Sequence, residues 1–252
     1  MSGRIPAAIA AAVAIAALVI GVVFGTHVAG GSDSSCYLIG ARLLSRGAVA
    51  INEPLARTAS WKNASLTFTP AGFRPSPVDP STAVPICSPG LPLAMAAFRA
   101  VHLSEFLVVP VLGALSVWLT FVVGRRVDRP LTGAAAALLL ACSPTFLYQV
   151  VQPMSDVPAT AWWLLAIACS IEREDGSNRP GIAGLATSMA VLTRPNLLPL
   201  AAILLLYKVG PAKAVADPFR PPAATSSASR APSSTSRRRH RASGGTASAR
   251  RY

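Results

Sequence analysis

The chain has 252 residues, of which 52% are hydrophobic and only 13% are charged, and its formal net charge is +13. A soluble domain usually carries about 25% charged residues, so this composition excludes an ordinary soluble enzyme and predicts a membrane-embedded chain. The basic charge is concentrated at one end, because residues 208–252 hold ten Lys or Arg and one Asp. We therefore predict an all-α, polytopic transmembrane helix bundle over residues 1–207.

The apolar runs predict about five or six membrane spans. The first covers residues 5–24 without a charge, and at about 1.5 Å per residue it is about 30 Å long, enough to cross a bilayer core. A cleaved signal peptide is the rival reading of this run. Arg194 and Pro195 interrupt the last run, and proline breaks a helix because it lacks a backbone donor. The later runs cover residues 106–123, 131–148, 157–171 and 182–207.

Between the first two runs, residues 26–105 predict a long structured loop. Within it, residues 35–46 carry apolar side chains at helical spacing and predict an amphipathic helix that Gly47 can end. Cys36 and Cys87 both lie in this loop. Because disulfides form in oxidising compartments, these two cysteines can pair if the loop is outside the cytoplasm.

The topology depends on residues 91–101, which are apolar but too short to span. If they do not cross, the next run returns inward and an arginine cluster lies in the cytoplasm, as the positive-inside rule favours. In that case Asp33 and Asp156 lie on the same, outer face of the membrane and can face one cavity. If residues 91–101 do cross, the two aspartates lie on opposite faces. We prefer the first topology. The arginine cluster is Arg125, Arg126 and Arg129.

The tail, residues 208–252, is rich in Ser, Ala, Pro and Arg and has few large apolar residues. Such a composition cannot build a core, so we predict that the tail is disordered. Its basic run can bind acidic lipid or nucleic acid without specificity, and no specific nucleic-acid partner is expected. A GC-rich gene read out of frame gives a similar composition, so a frameshifted or truncated product and a native basic tail are both open.

Four segments, in this order, resemble the polytopic membrane glycosyltransferases of the GT-C superfamily. That superfamily includes the protein O-mannosyltransferases and the bacterial lipid A aminoarabinose transferases. The first segment follows the opening helix, the second is similar to the family's Pro-Pro-Gly-x-Pro-Leu stretch, the third to its second acidic loop, and the fourth to its Gly-rich helix ending in a basic residue. They read GGSDSSCYLIGARLL, CSPGLPLAMA, SPTFLYQVVQPMSDVPATAWWLLA and GLATSMAVLTRPNLLPL.

The resemblance implies a hexosyl- or pentosyltransferase that takes a sugar from a polyprenyl-phosphate carrier to an acceptor hydroxyl outside a bacterial cytoplasmic membrane. Asp33 would be the general base and Asp156 would orient the acceptor or the first loop. Arg194 would neutralise the phosphate leaving group, and Tyr37 would also bind substrate. The donor is a substrate, and whether a cofactor or a divalent metal takes part is left open, since no residue spacing predicts a metal site. Because the family's enzymes are longer, this chain is expected to be their N-terminal portion.

Each of these residues also has a structural alternative. Asp33 and Asp156 are good helix caps, and Arg194 can extend to the membrane interface. Trp162 and Trp163 are expected to anchor a helix at that interface. The alternative function is a non-catalytic integral membrane protein or an inactive gene fragment.

Overall fold

The computed structural model describes residues 3–171 and 179–209, and this part of the chain is mostly helical. Residues 210–252 of the predicted disordered tail lie outside the described residues. The helices are α1 (Arg4–Val23), α2 (Ser32–Leu44), α3 (Leu55–Thr58), α4 (Ala64–Thr67), α5 (Gly90–Ala100), α6 (Val108–Val127), α7 (Pro130–Ala141), α8 (Pro144–Val150), α9 (Asp156–Ser170), α10 (Pro180–Thr193) and α11 (Leu198–Val209).

Among the described residues, two helices are long and apolar enough to cross a membrane. One is α1, and the other is Glu105–Val127, in which a 3-10 turn leads into α6. A third span is possible if α7 and α8 count as one, although they are bent by 66°. The span predicted over residues 131–148 is therefore divided into two helices, because Pro144 starts a new helix. The number of spans, predicted as five or six, is not confirmed.

Small residues let the long helices approach closely. The buried face of α1 consists of Ala10, Ala14, Ala17 and Gly21, and it packs on α6 and α7. Where α6 crosses α7, a methyl group on Gly133 would lie 2.5 Å from the carbonyl oxygen of Phe121. Close packing through small side chains is the usual way helices associate in membranes, where burial from water contributes little.

The first loop contains a small sheet that the sequence did not predict. Strands β1 (Ile51–Asn52), β2 (Phe73–Pro75) and β3 (Thr82–Pro85) pair antiparallel in the order β1-β3-β2. The strands are two to four residues long, too short for a two-residue alternation of polar and apolar side chains to be recognised.

Helix α2 begins at Ser32, three residues earlier than predicted, and ends at Leu44. The preceding residue, Gly31, is fully extended, so Asp33 lies in the first turn and is not the helix cap. Gly47 follows the helix with a φ of +71°, a left-handed conformation that glycine adopts readily. The loop helix and its glycine stop were thus predicted, with a shift at the start.

Helix α5 has 11 residues and is about 16 Å long, too short to cross a bilayer core. It packs on α2 and α10. The carboxylate of Glu105, whose side chain is 8% exposed, accepts from Arg42 of α2 at 3.3 Å and from Arg99 of α5 at 2.7 Å. This buried carboxylate therefore fixes the ends of α2 and α5 at the start of α6.

Candidate active site

The start of α9 and the end of α10 meet at Arg194. This arginine follows α10 in extended conformation, with φ −142° and ψ 90°, because Pro195 prevents the helix from continuing. Its Nη2 lies 2.8 Å from Oδ1 of Asp156, and its Nε donates to Oγ of Ser155 at 3.1 Å. The side chains of Arg194 and Asp156 are each 33% exposed, so the ion pair is held in place and still accessible.

Tyr37 extends from α2 to the same point. Its hydroxyl donates to Oγ of Ser155 at 3.0 Å, so Ser155 accepts from both Tyr37 and Arg194. Tyr37 and Ser155 are both buried. Burial raises the pKa of the Tyr37 phenol above its ordinary value, and the negative charges of Asp33 and Asp156 add to that effect. Tyr37 is therefore protonated at neutral pH and remains a hydrogen-bond donor.

Asp33 lies one helical turn before Tyr37, on the same face of α2. Its side chain is exposed, and it has no hydrogen-bond or ion-pair partner in the part of the chain that the structure describes. The structure thus brings Tyr37, Asp156 and Arg194 into contact through Ser155. Asp33 lies beside them with a free carboxylate.

A groove of about 330 Å³ lies beside the Asp156–Arg194 pair, between α9 and the junction of α10 with α11. The ion pair and Thr160 form its polar end. Trp163, which we expected to anchor a helix at the interface, is buried and lines this groove instead. The other walls are aliphatic, formed by Ala159, Leu164, Ile167, Leu197 and Leu200.

Sequence reasoning missed Ser155 and Trp163. A serine before an acidic residue at a helix start is indistinguishable in sequence from an ordinary helix N-cap. A tryptophan in a short apolar run is equally typical of an interface anchor. Within residues 3–171 and 179–209, no three His, Cys, Asp or Glu side chains are grouped in a way that could hold a metal ion.

Gly90 also helps to position Arg194, through a contact with the residue that precedes the arginine. This glycine starts α5 and lies against the last residue of α10, Thr193. A methyl group at position 90 would overlap the backbone nitrogen of Thr193 and lie 2.5 Å from its Oγ1. Because Thr193 directly precedes Arg194, this contact sets where the arginine leaves the helix.

We expect Gly90→Ala to lower the rate of the site's reaction by about 100-fold, since a displacement of about 1 Å can cost that much. Gly133→Ala is the matched control, because it introduces a comparable overlap at the α6–α7 crossing without touching Arg194. The measurement is activity per folded protein in nanodiscs, with a melting curve for each variant. Equal losses for the two variants would show that Gly90 acts only through general packing.

A family model described as dolichyl-phosphate-mannose-protein mannosyltransferase matches residues 90–220, which is 131 of the 252 residues. The chain belongs to this family. Asp156 and Arg194 lie within the match, whereas Asp33 and Tyr37 precede it. This mannosyltransferase-family protein is thus a GT-C glycosyltransferase and an integral membrane protein. Membership supports the use of a polyprenyl-phosphate-linked sugar. Searches of curated proteins and of solved structures found no match.

Proposed function

We propose that the chain transfers a sugar from a polyprenyl-phosphate-linked donor to an acceptor hydroxyl on the outer face of a bacterial cytoplasmic membrane. One observation carries the proposal. The exposed carboxylate of Asp33 lies one helical turn from Tyr37, and Tyr37 shares Ser155 with Arg194, the partly exposed guanidinium at the polar end of a groove with apolar walls. Such a site combines a base for the acceptor with a cation for a phosphate.

The groove fits the lipid-linked donor. The polyprenyl chain would lie along the aliphatic walls, with its phosphate at the polar end beside Arg194. A guanidinium binds phosphate oxygens through two parallel hydrogen bonds and stays charged at any physiological pH. Asp156 accepts from Nη2 of Arg194 and Ser155 from Nε, so both orient the guanidinium. The charge that develops on the departing phosphate would therefore meet an already oriented cation.

Asp33 would act on the acceptor. As the acceptor oxygen attacks the anomeric carbon, the carboxylate takes the hydroxyl proton. The bond from the anomeric carbon to the phosphate oxygen breaks, and polyprenyl phosphate leaves with the electron pair. Attack opposite the leaving group inverts the anomeric configuration. Tyr37, protonated and fixed on Ser155, would bind substrate between the two charged groups.

The disulfide between Cys36 and Cys87 supports an outer location for the loop 26–105. In that orientation the arginine cluster 125–129 faces the cytoplasm, as the positive-inside rule favours. The short α5 helix supports the same topology, because it allows Asp33 and Asp156 to lie on one face.

The donor class can be tested with the full chain in nanodiscs and a Ser/Thr-rich peptide as acceptor. We expect labelled mannose to be transferred from polyprenyl-phosphate mannose and not from GDP-mannose, because a nucleotide sugar has no chain to occupy the groove. Empty nanodiscs give the background. Transfer from GDP-mannose alone would overturn the assignment of a lipid-linked donor.

A further inference from the structure

The disulfide lies inside the region that carries the candidate site. Cys36 is three residues after Asp33 and directly before Tyr37, and it is fully buried. Its partner, Cys87, is three residues before Gly90. The backbone N–H of Cys87 donates to Sγ of Cys36 at 3.3 Å, so this junction is held by a hydrogen bond as well as by the covalent bond.

The turn at Gly72 encloses the disulfide from the opposite side. A methyl group at position 72 would lie 2.6 Å from Cβ of Cys36, and the φ of Gly72 is +85°. Helix α2, this turn and the segment before α5 therefore pack around one buried half-cystine. The disulfide connects the helix of Asp33 to the segment that leads into α5.

From Cys87, the chain continues to Gly90, which contacts Thr193 next to Arg194. Arg194 bonds to Ser155, and Ser155 bonds to Tyr37, the neighbour of Cys36. These contacts form a closed ring. The acidic helix and the arginine are thus joined through Ser155 and through the disulfide and Gly90, in addition to the packing of α2 and α10 on α5.

We propose that the Cys36–Cys87 disulfide is a positioning element of this site, which holds Asp33 and Tyr37 in register with Arg194, so that sugar transfer requires the oxidised protein. This inference rests on the proposed function. Without the disulfide, the site end of α2 keeps the Tyr37–Ser155 hydrogen bond and the weak contact of Ser34 with Met154 at 3.5 Å. Arg194 keeps both of its partners.

Loss of the disulfide is therefore expected to disturb α2 more than Arg194, and this predicts a fall in kcat with little change in KM. Asp33 loses its register while the phosphate-binding arginine stays in place, so kcat should fall about 10- to 100-fold. The KM for the donor should change less than about threefold, because the groove and Arg194 are unaltered. A disulfide that only stabilised the fold would lower the melting temperature and leave kcat unchanged well below it.

The test compares Cys36→Ser/Cys87→Ser with Cys142→Ser/Cys169→Ser, which removes the two free cysteines of the described residues. Both variants are full chains in nanodiscs. Hydrogen exchange over residues 32–44 reports the order of α2 without any enzymatic reaction. Kinetics with polyprenyl-phosphate mannose give kcat and KM. If the serine variant does not fold, the wild-type protein is reduced with a phosphine in the nanodisc and measured in the same way.

We expect faster exchange over residues 32–44, unchanged exchange in α6, and a lower kcat for the disulfide variant alone. Unchanged exchange in α2, or faster exchange with an unchanged kcat, would overturn the proposal. If the wild-type chain transfers no sugar, the proposed function fails by itself. The hydrogen-exchange result is then the remaining test of the positioning role. Faster exchange confined to residues 32–44, with exchange in α6 unchanged, supports that role, and unchanged exchange in α2 or faster exchange in both helices overturns it.

Discussion

Replacing Asp33 by asparagine is expected to reduce sugar transfer by about 10²- to 10⁴-fold, the range that a general base usually contributes. Asparagine has nearly the same shape but cannot accept the acceptor's proton. Because the Asp33 side chain is exposed and has no partner among the described residues, the change should leave folding and expression intact. The measurement is label transferred from polyprenyl-phosphate mannose per folded protein.

The matched control is Glu53→Gln. Glu53 is a second carboxylate of the first loop, and its side chain also has no hydrogen-bond or ion-pair partner within the described ranges. It lies at the sheet rather than on α2, so its loss should change transfer less than twofold. Transfer retained in Asp33→Asn, or equal losses in both variants, would remove Asp33 from the reaction.

Replacing Arg194 by alanine should lower kcat/KM for the donor by roughly 10²- to 10³-fold, the usual cost of removing one group that stabilises a developing oxyanion. The loss has two causes. The phosphate loses its cation, and Asp156 remains at the groove without its partner and repels the phosphate.

Two further variants test whether the charge, the geometry and the position of this arginine each matter. Arg194→Lys keeps the charge but loses the planar two-point contact, so we expect an intermediate loss of about 10-fold. Arg179→Ala removes an arginine from the opposite end of α10 and should leave kcat/KM unchanged. An Arg194→Ala protein with wild-type kcat/KM would show that the guanidinium only anchors the helix end.

The sequence predicts best those elements whose residues are compatible with only one local structure. An uncharged run of twenty residues, such as 5–24, can only be a long apolar helix in this setting. The break at Arg194–Pro195 was predicted as well, because proline cannot continue the hydrogen-bond pattern of α10. Pro144 causes the bend between α7 and α8 in a similar way. Because the residues on both sides of it are apolar, the sequence was interpreted there as one continuous run.

The parts that could not be predicted depend on contacts between distant segments. Ser155 matters because Tyr37 and Arg194, 118 and 39 residues away, both bond to it. Gly90 matters because Thr193 lies against it. The sequence allowed a disulfide between Cys36 and Cys87, but only the packing of α2 on the segment before α5 brings their Cα atoms within 6.1 Å.

We expect Asp33 on α2 and Arg194 after α10 to act on one substrate as one catalytic unit. The most direct measurement is the transfer rate from polyprenyl-phosphate mannose for Asp33→Asn, Arg194→Ala and the double variant, each relative to wild type. Residues that act as a unit show strongly non-additive losses. We predict that the double variant is slower than the slower single variant by less than about threefold. A double-variant loss equal to the product of the two single losses would show that the two residues act independently and would contradict a single catalytic unit.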